Sequence, residues 1–212
     1  TTALALQAFF RLGYTNRGTH DYAKVISRGA RFLKRLQQED GRFMRGSSSR
    51  SLYGHAAATL ALGEAYDGTY SPLFRKSVQA GLDAIAVLRA SHGFWVEGTP
   101  DPILSVWMAL PVAVAVACNA RDEVRGRTPK LHVNEAMVDA IRKWVARRSG
   151  PTIEHQVALR AGVIRLRVLL GEDFGESAGL KEARERHGRL RPDGGSAAID
   201  MADLSLGLDA FR

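Results

Sequence analysis

Apolar positions recur at three- and four-residue spacing along most of the chain, which predicts helices and no strands. Residues 2–12 (TALALQAFFRL) are apolar nearly all round, as in a buried helix, and Gly13 supplies a C-terminal stop. A second helix is predicted over His20–Gln38. Its apolar stripe holds Tyr22, Val25, Ile26, Phe32, Leu33 and Leu36, with Lys24, Arg28, Arg31, Lys34 and Arg35 mostly opposite. The Gly/Ser/Arg-rich stretch Arg45–Ser51 reads as a loop. Further helices are expected over Leu52–Tyr66, Ser71–Ala90, Ile103–Cys118, Asn134–Arg148, Thr152–Leu170, Ser177–Leu190 and Ala197–Phe211. Ser71-Pro72 opens one of them with a cap followed by proline at the first helical position. Residues 121–130 read as a polar loop.

The polarity of these helices alternates. The first, third, fifth and seventh are rich in alanine and other apolar residues, whereas the second, fourth, sixth and eighth carry a charged face. One buried helix and one amphipathic helix per unit is what a two-layer array of hairpins requires. The chain also repeats itself. Arg28–Phe43 aligns with Ala80–Trp95 at an offset of 52, so that Gly29 falls on Gly81, Leu33 on Ile85, Gly41 on Gly93 and Phe43 on Trp95. Self-similarity at this period marks stacked supersecondary units.

The first of these segments resembles the prenyltransferase and squalene-oxidase repeat, (K/R)-G-x-x-(F/Y/W)-L-x-x-x-Q-x-x-x-G-x-(W/F). Arg28, Gly29, Phe32, Leu33, Gln37, Gly41 and Phe43 fill its positions. The second segment keeps Gly81, Ile85, Gly93 and Trp95 and departs at Ala80, Ala84 and Arg89. Tyr53–Tyr66 is similar to an inner helix of bacterial members of that family. The resemblance covers residues 1–120 and fades beyond. It implies an all-α (α/α) toroid as one domain over 1–212, with repeats at about 1–43, 52–95, 101–148, 152–190 and 197–212. Nine helices make four and a half hairpins where the family has about six. A preceding N-terminal portion, or an incomplete ring, is therefore expected. Within the motif, Gly29, Phe32, Gln37, Gly41, Phe43, Gly93 and Trp95 are expected to be structural. The Gln amide would satisfy backbone groups at a helix end, and the aromatic ring would pack across the turn.

Composition adds constraints. The formal net charge is +8, split as +5 over residues 1–120, +6 over 121–191 and −3 over 192–212. Charge this dispersed, without interleaved aromatic residues, argues against a dedicated nucleic-acid surface. It leaves an anionic lipid surface open as a partner, and Arg142, Lys143, Arg147 and Arg148 form a basic stripe that would suit one. The single cysteine, Cys118, excludes an intrachain disulfide and reads as a small core residue. No signal-peptide pattern opens the sequence. The longest apolar run, Ile103–Cys118, contains Pro111 and falls short of the roughly 20 residues of a membrane helix.

The reaction motifs that the resemblance brings to mind are absent. There is no D-x-D-D acid cluster, no recognisable Asp/Cys/His zinc set and no Cys-Gly-Glu-Gln thioester run, because Cys118 is followed by Asn119-Ala120-Arg121. Neither a phosphate-binding glycine loop nor a serine nucleophile elbow occurs. Asp101 reads as a helix cap. His55 and His155 each stand near the start of an inner helix. If those starts share one mouth, Tyr53, His55, Asp101, Glu154 and His155 would form a polar rim. No metal or cofactor is expected. The leading expectation is a non-catalytic toroid scaffold that binds a protein partner, an upstream domain of the same chain, or a ligand. The alternative is a divergent enzyme or carrier acting on an isoprenoid, another apolar lipid or a polysaccharide.

Overall fold

A computed structural model of the chain describes residues 1–17, 19–96, 98, 101–128, 130–148 and 157–171. Among the described residues the fold is all-α, with seven helices and no strand: α1 (Thr2–Arg11), α2 (Ala23–Leu36), α3 (Ser49–Thr69), α4 (Pro72–His92), α5 (Pro102–Val124), α6 (Glu135–Arg147) and α7 (Val157–Leu169). The helices expected over 177–190 and 197–211, and the first residues of the seventh, lie outside the described residues.

The odd-numbered helices pack on one another in chain order, α1 on α3, α3 on α5 and α5 on α7. Alanine and glycine make this possible. Ala56, Ala58, Ala61 and Ala65 of α3 are each no more than 3 % exposed, and helices lined by such small side chains approach closely. Gly162 of α7 sits directly on Val106 of α5, where a Cβ would collide with the valine. α1 and α3 run parallel, because Gln7 and Arg11 meet Ala57 and Glu64 in the same order. α3 and α5 do as well: Tyr53 meets Asp101 at their starts and Asp67 meets Arg121 near their ends. The even-numbered helices pack against this row and keep charged faces in solvent, such as Arg142, Lys143 and Arg147 on α6.

The 52-residue period is visible in space. Gln7 Nε2 donates to Ala57 O at 3.0 Å, across 50 residues, and Arg17 to Thr69 O at 3.0 Å, across 52. Gln79 Nε2 donates to His132 O at 3.0 Å, across 53, and Arg121 Nε to Asp67 at 3.1 Å, across 54. Each hairpin is thus tied to the next by contacts between residues 50 to 54 apart in sequence. At the turn after α2, Gln37 Nε2 donates to Gly41 O at 3.0 Å and to Ser77 O of α4 at 2.8 Å. Gly41 has φ +80°, and its Cα lies against the Ala80 backbone, leaving no room for a side chain. Trp95, itself at φ +62°, donates from its indole N–H to Ser105 O at 2.8 Å, anchoring the turn after α4 on α5.

Several boundaries differ from the sequence reading. α2 is shorter at both ends than His20–Gln38, because Gln37 leaves the helix with ψ 130° to make its two backbone contacts. α3 begins at Ser49, inside the expected loop, since Ser48 caps it by accepting from Ser51 N at 3.3 Å. α5 continues past Cys118 to Val124, because Asp122 is buried at 3 % exposure and Arg121 is held by Asp67. That extension makes α5 long and apolar enough to cross a membrane, but most of its apolar window is buried within the protein. α1 is only partly covered: Leu4, Phe9 and Phe10 stay half-buried although the segment is apolar all round.

Gly41→Ala is expected to lower stability by about 2–4 kcal/mol, since a left-handed backbone and a collision with Ala80 act together. Urea unfolding followed by circular dichroism measures this, and a loss below about 0.5 kcal/mol would contradict the packing described.

Candidate functional site

The starts of α1, α3 and α5 gather at one end of the molecule, and there an apolar pocket of about 470 Å³ opens. That volume is in the range of small-molecule sites. Thr1 and the start of α1 contribute residues 1–4, the end of α2 Phe32 and Leu36, the following loop Phe43 and Met44, and the first turn of α3 Arg50. α3 contributes Tyr53, Gly54, Ala57 and Ala58, and α5 contributes Trp107. The elements explain why the pocket exists. Successive turns of α3 present Gly54, Ala57 and Ala58, which leave space, while longer apolar side chains wall it from the neighbouring helices. Phe32, Leu36 and Met44 remain 41 %, 41 % and 39 % exposed at its entrance.

Tyr53 links this pocket to the cap of α5. Its hydroxyl donates to the Asp101 carboxylate, 3.3 Å from both oxygens, and its ring meets Trp107 edge-on at 6.4 Å. Asp101 caps α5 by accepting from Leu104 N at 2.8 Å. Burial first, and the adjacent Asp101 carboxylate second, raise the Tyr53 phenol well above its ordinary range, so it stays protonated and donates.

His55 stands apart from this rim. It is 1 % exposed, packed against Phe43 with the rings tilted 32° and 5.8 Å between centroids, and its Nδ1 accepts from Phe43 N at 3.4 Å. Nε2 lies near the Gly81 backbone without a hydrogen bond of normal geometry. The ring is therefore neutral, its pKa pushed down to about 4 mainly by burial. Its place between the first turn and the middle of α4 makes it a core residue that ties Phe43 into the stack, which corrects its expected position on a rim. Glu154 and His155 lie outside the described residues. Of the five rim candidates, the structure joins Tyr53 with Asp101 and turns His55 inward.

The other motif residues divide similarly. Phe43 and Trp95 are 3 % and 2 % exposed, whereas Phe32 is 41 % exposed; Phe32 and Phe43 both line the pocket. The Cys118 thiol is buried and pushed up to about 12, by desolvation and then by Asp67 and Asp122, which makes it a poor nucleophile. Among the described residues no three His, Cys, Asp or Glu side chains gather to hold a metal. Sequence reasoning missed Leu36, Met44 and Trp107 as site residues. Trp107 offered a signal, being a lone large ring in an Ala/Val-rich helix.

Stability is expected to follow His55. The unfolded chain takes up a proton near pH 6.5, while the folded ring stays neutral down to about pH 4. The contribution is therefore intact above pH 6.5 and falls away as pH drops toward 4, by about 2 kcal/mol between pH 7 and 5. Urea midpoints of wild type and His55→Gln at both pH values measure it, and parallel declines in the two proteins would refute it. No family model, characterised protein or solved structure matches this chain.

Proposed function

We propose that the chain is an (α/α) toroid repeat domain and acts as a non-catalytic scaffold that holds an apolar group of a partner or ligand in the pocket. The toroid reading is supported by the parallel row of α1, α3 and α5 and by ties that recur at the 52-residue period. The observation that carries the binding reading is the pocket lining. Among the described residues, Thr1, Thr2, Arg50, Tyr53 and the indole N–H of Trp107 are the polar side-chain groups of its lining, and the Tyr53 hydroxyl is committed to Asp101. A lining of this kind desolvates an apolar group and supplies no base or nucleophile to act on it. Arg50, at the edge, suits an anionic substituent on the bound group.

One observation favours the second reading, a divergent enzyme or carrier for an isoprenoid or another apolar lipid. Four aromatic side chains, Phe32, Phe43, Tyr53 and Trp107, converge on the same space. Such rings stabilise developing cations as well as they bind hydrocarbon.

Titration of the full chain with 8-anilinonaphthalene-1-sulfonate tests the pocket. Ala57→Leu, which fills it, is expected to weaken dye binding about tenfold, while Val87→Leu on the exposed side of α4 leaves it unchanged. Equal binding by wild type and Ala57→Leu would overturn the pocket as the site. Turnover of a polyprenyl diphosphate by wild type, lost in Ala57→Leu, would replace the scaffold reading with the enzymatic one.

A further inference from the structure

The turns after α2 and α4 are copies of one another, yet only the first is closed by the next outer helix. In the first copy Gln37 donates to Ser77 O of α4, and Gly41 lies on the Ala80 backbone. Counted from their caps, Ser71 and Asn134, α4 and α6 share one register. Phe74, Val78 and Leu82 of α4 correspond to Met137, Ile141 and Val145 of α6, and all six are buried. Ser77, Ala80 and Ala84 then correspond to Ala140, Lys143 and Arg147. Ser77 and Ala84 are buried, whereas Lys143 and Arg147 are exposed. The second turn carries Arg89 at the place of Gln37. Among the described residues, no atom of α6 comes within 4 Å of the point where a Gly93 Cβ would stand. Where the first copy has a closed contact, the second has a cleft of about 490 Å³. Arg89 and Trp95 wall it on one side, and Asp139, Ala140, Lys143 and Arg147 on the other.

We propose that this cleft binds a phosphate monoester group, carried by a small soluble molecule or by a lipid headgroup. Lys143 and Arg147 stand one helical turn apart on the same face of α6, with Arg89 across the cleft from them. Among the described residues none of the three cations is in an ion pair. Asp139, the one acid of the lining, is engaged by Arg142 at 3.8 Å. Three cations against one acid leave the lining at a net +2. A carboxylate brings one charge to such a site, whereas a phosphate monoester brings about −1.5 to −2 at pH 7 and three acceptor oxygens. Arg89 is already positioned for it. Its guanidinium lies over the Trp95 ring, 5.9 Å from the centroid, and the indole N–H of that ring is fixed on Ser105 O. A guanidinium held this way keeps its planar fork of donors, which matches phosphate oxygens. The basic stripe of α6 is thus divided: Lys143 and Arg147 line the cleft, while Arg142 engages Asp139 and Arg148 lies over Trp144 at 4.4 Å. The cleft shares no lining residue with the apolar pocket, and the inference stands independently of the scaffold reading.

Calorimetric titration of the full chain with glycerol 3-phosphate at low salt tests it. Wild type is expected to bind. Lys143→Ala and Arg147→Ala, which place the residue of the first copy on an exposed face of α6, should each weaken binding about tenfold. Arg89→Gln should do the same, and Lys143→Arg should retain binding. Lys76→Ala removes one exposed charge from α4, about 20 Å along the helix from Arg89, and should leave the affinity unchanged. Co-sedimentation with vesicles of phosphatidic acid in phosphatidylcholine distinguishes the carriers. Binding of the soluble probe, lost in the cleft variants, assigns the site to a soluble phosphate ester. Vesicle binding that Lys143→Ala abolishes, without binding of the soluble probe, assigns it to a lipid headgroup. Binding of neither probe, an equal loss with Lys76→Ala, or equal sedimentation with phosphatidylglycerol, a diester, would each overturn the proposal.

Discussion

Burial of α3 on every side is the constraint from which the other packing follows. Its middle residues, Leu60, Ala61 and Leu62, are wholly inaccessible, and α1, α4 and α5 all lean on it. A helix covered this way cannot use one apolar face, so it carries small residues wherever a neighbour approaches. It also has little tolerance for polar groups, and His55 is anchored there through Nδ1, which accepts from Phe43 N. Thr59 Oγ1 donates back to His55 O at 2.9 Å, a bond that lets a hydroxyl sit in the helix interior. Gly81 of α4 lies so close to Thr59 that any side chain there would push the helices apart.

Glu64 is the exception to that economy, and it explains how the row of inner helices closes up. Its carboxylate is buried, which raises its pKa, and the guanidinium groups of Arg11 and Arg165 oppose that shift. Both arginines reach the same oxygen, leaving Oε2 without a partner. Buried ion groups of this kind add little net stability over an apolar replacement, but removing one member leaves a charge stranded. Their effect is to specify geometry: α1 and α7, 154 residues apart at these arginines, have to converge on one point of α3. The first and last described helices are therefore neighbours across the middle of the array.

The helical core was legible because its signals are local and redundant. Stripes at 3–4 spacing located all seven described helices, and Gly41 with Phe43 and Gly93 with Trp95 marked the repeated turns. Helix ends were less legible where several residues could serve equally. Ser47, Ser48, Ser49 and Ser51 offer competing caps before α3, and packing selects Ser48. The polar run from Arg121 read as a loop, yet its first residues stay helical to Val124, with Arg121 held by Asp67. The site was legible only in part. Tyr53 and Asp101 could be named from their places at helix starts, but the facing of His55 depends on where the chain folds back at Phe43. The pocket wall comes from residues 1–4, 32–36, 43–58 and 107, and no spacing rule brings those together before the repeat geometry is known.

The comparison of α2 with α4 shows what a repeat adds to ordinary surface reading. Single exposed apolar residues are common on folded proteins and need no explanation. Val87 and Leu73 on α4 are of that kind, at 71 % and 66 % exposure, and they form no stripe. Tyr22, Phe32 and Leu36 differ because α1 lies against them: Phe9 and Tyr14 meet the Tyr22 ring at 5.3 and 5.2 Å, Leu6 rests on Gly29 in the same stripe, and Thr1 to Leu4 share the pocket with Phe32 and Leu36. The corresponding positions of α4, Phe74, Ser77, Ala84 and Leu88, are 4 %, 8 %, 4 % and 5 % exposed, so α1 closes this face of α2 less completely than the matching face of α4 is closed, and the space left over is the pocket.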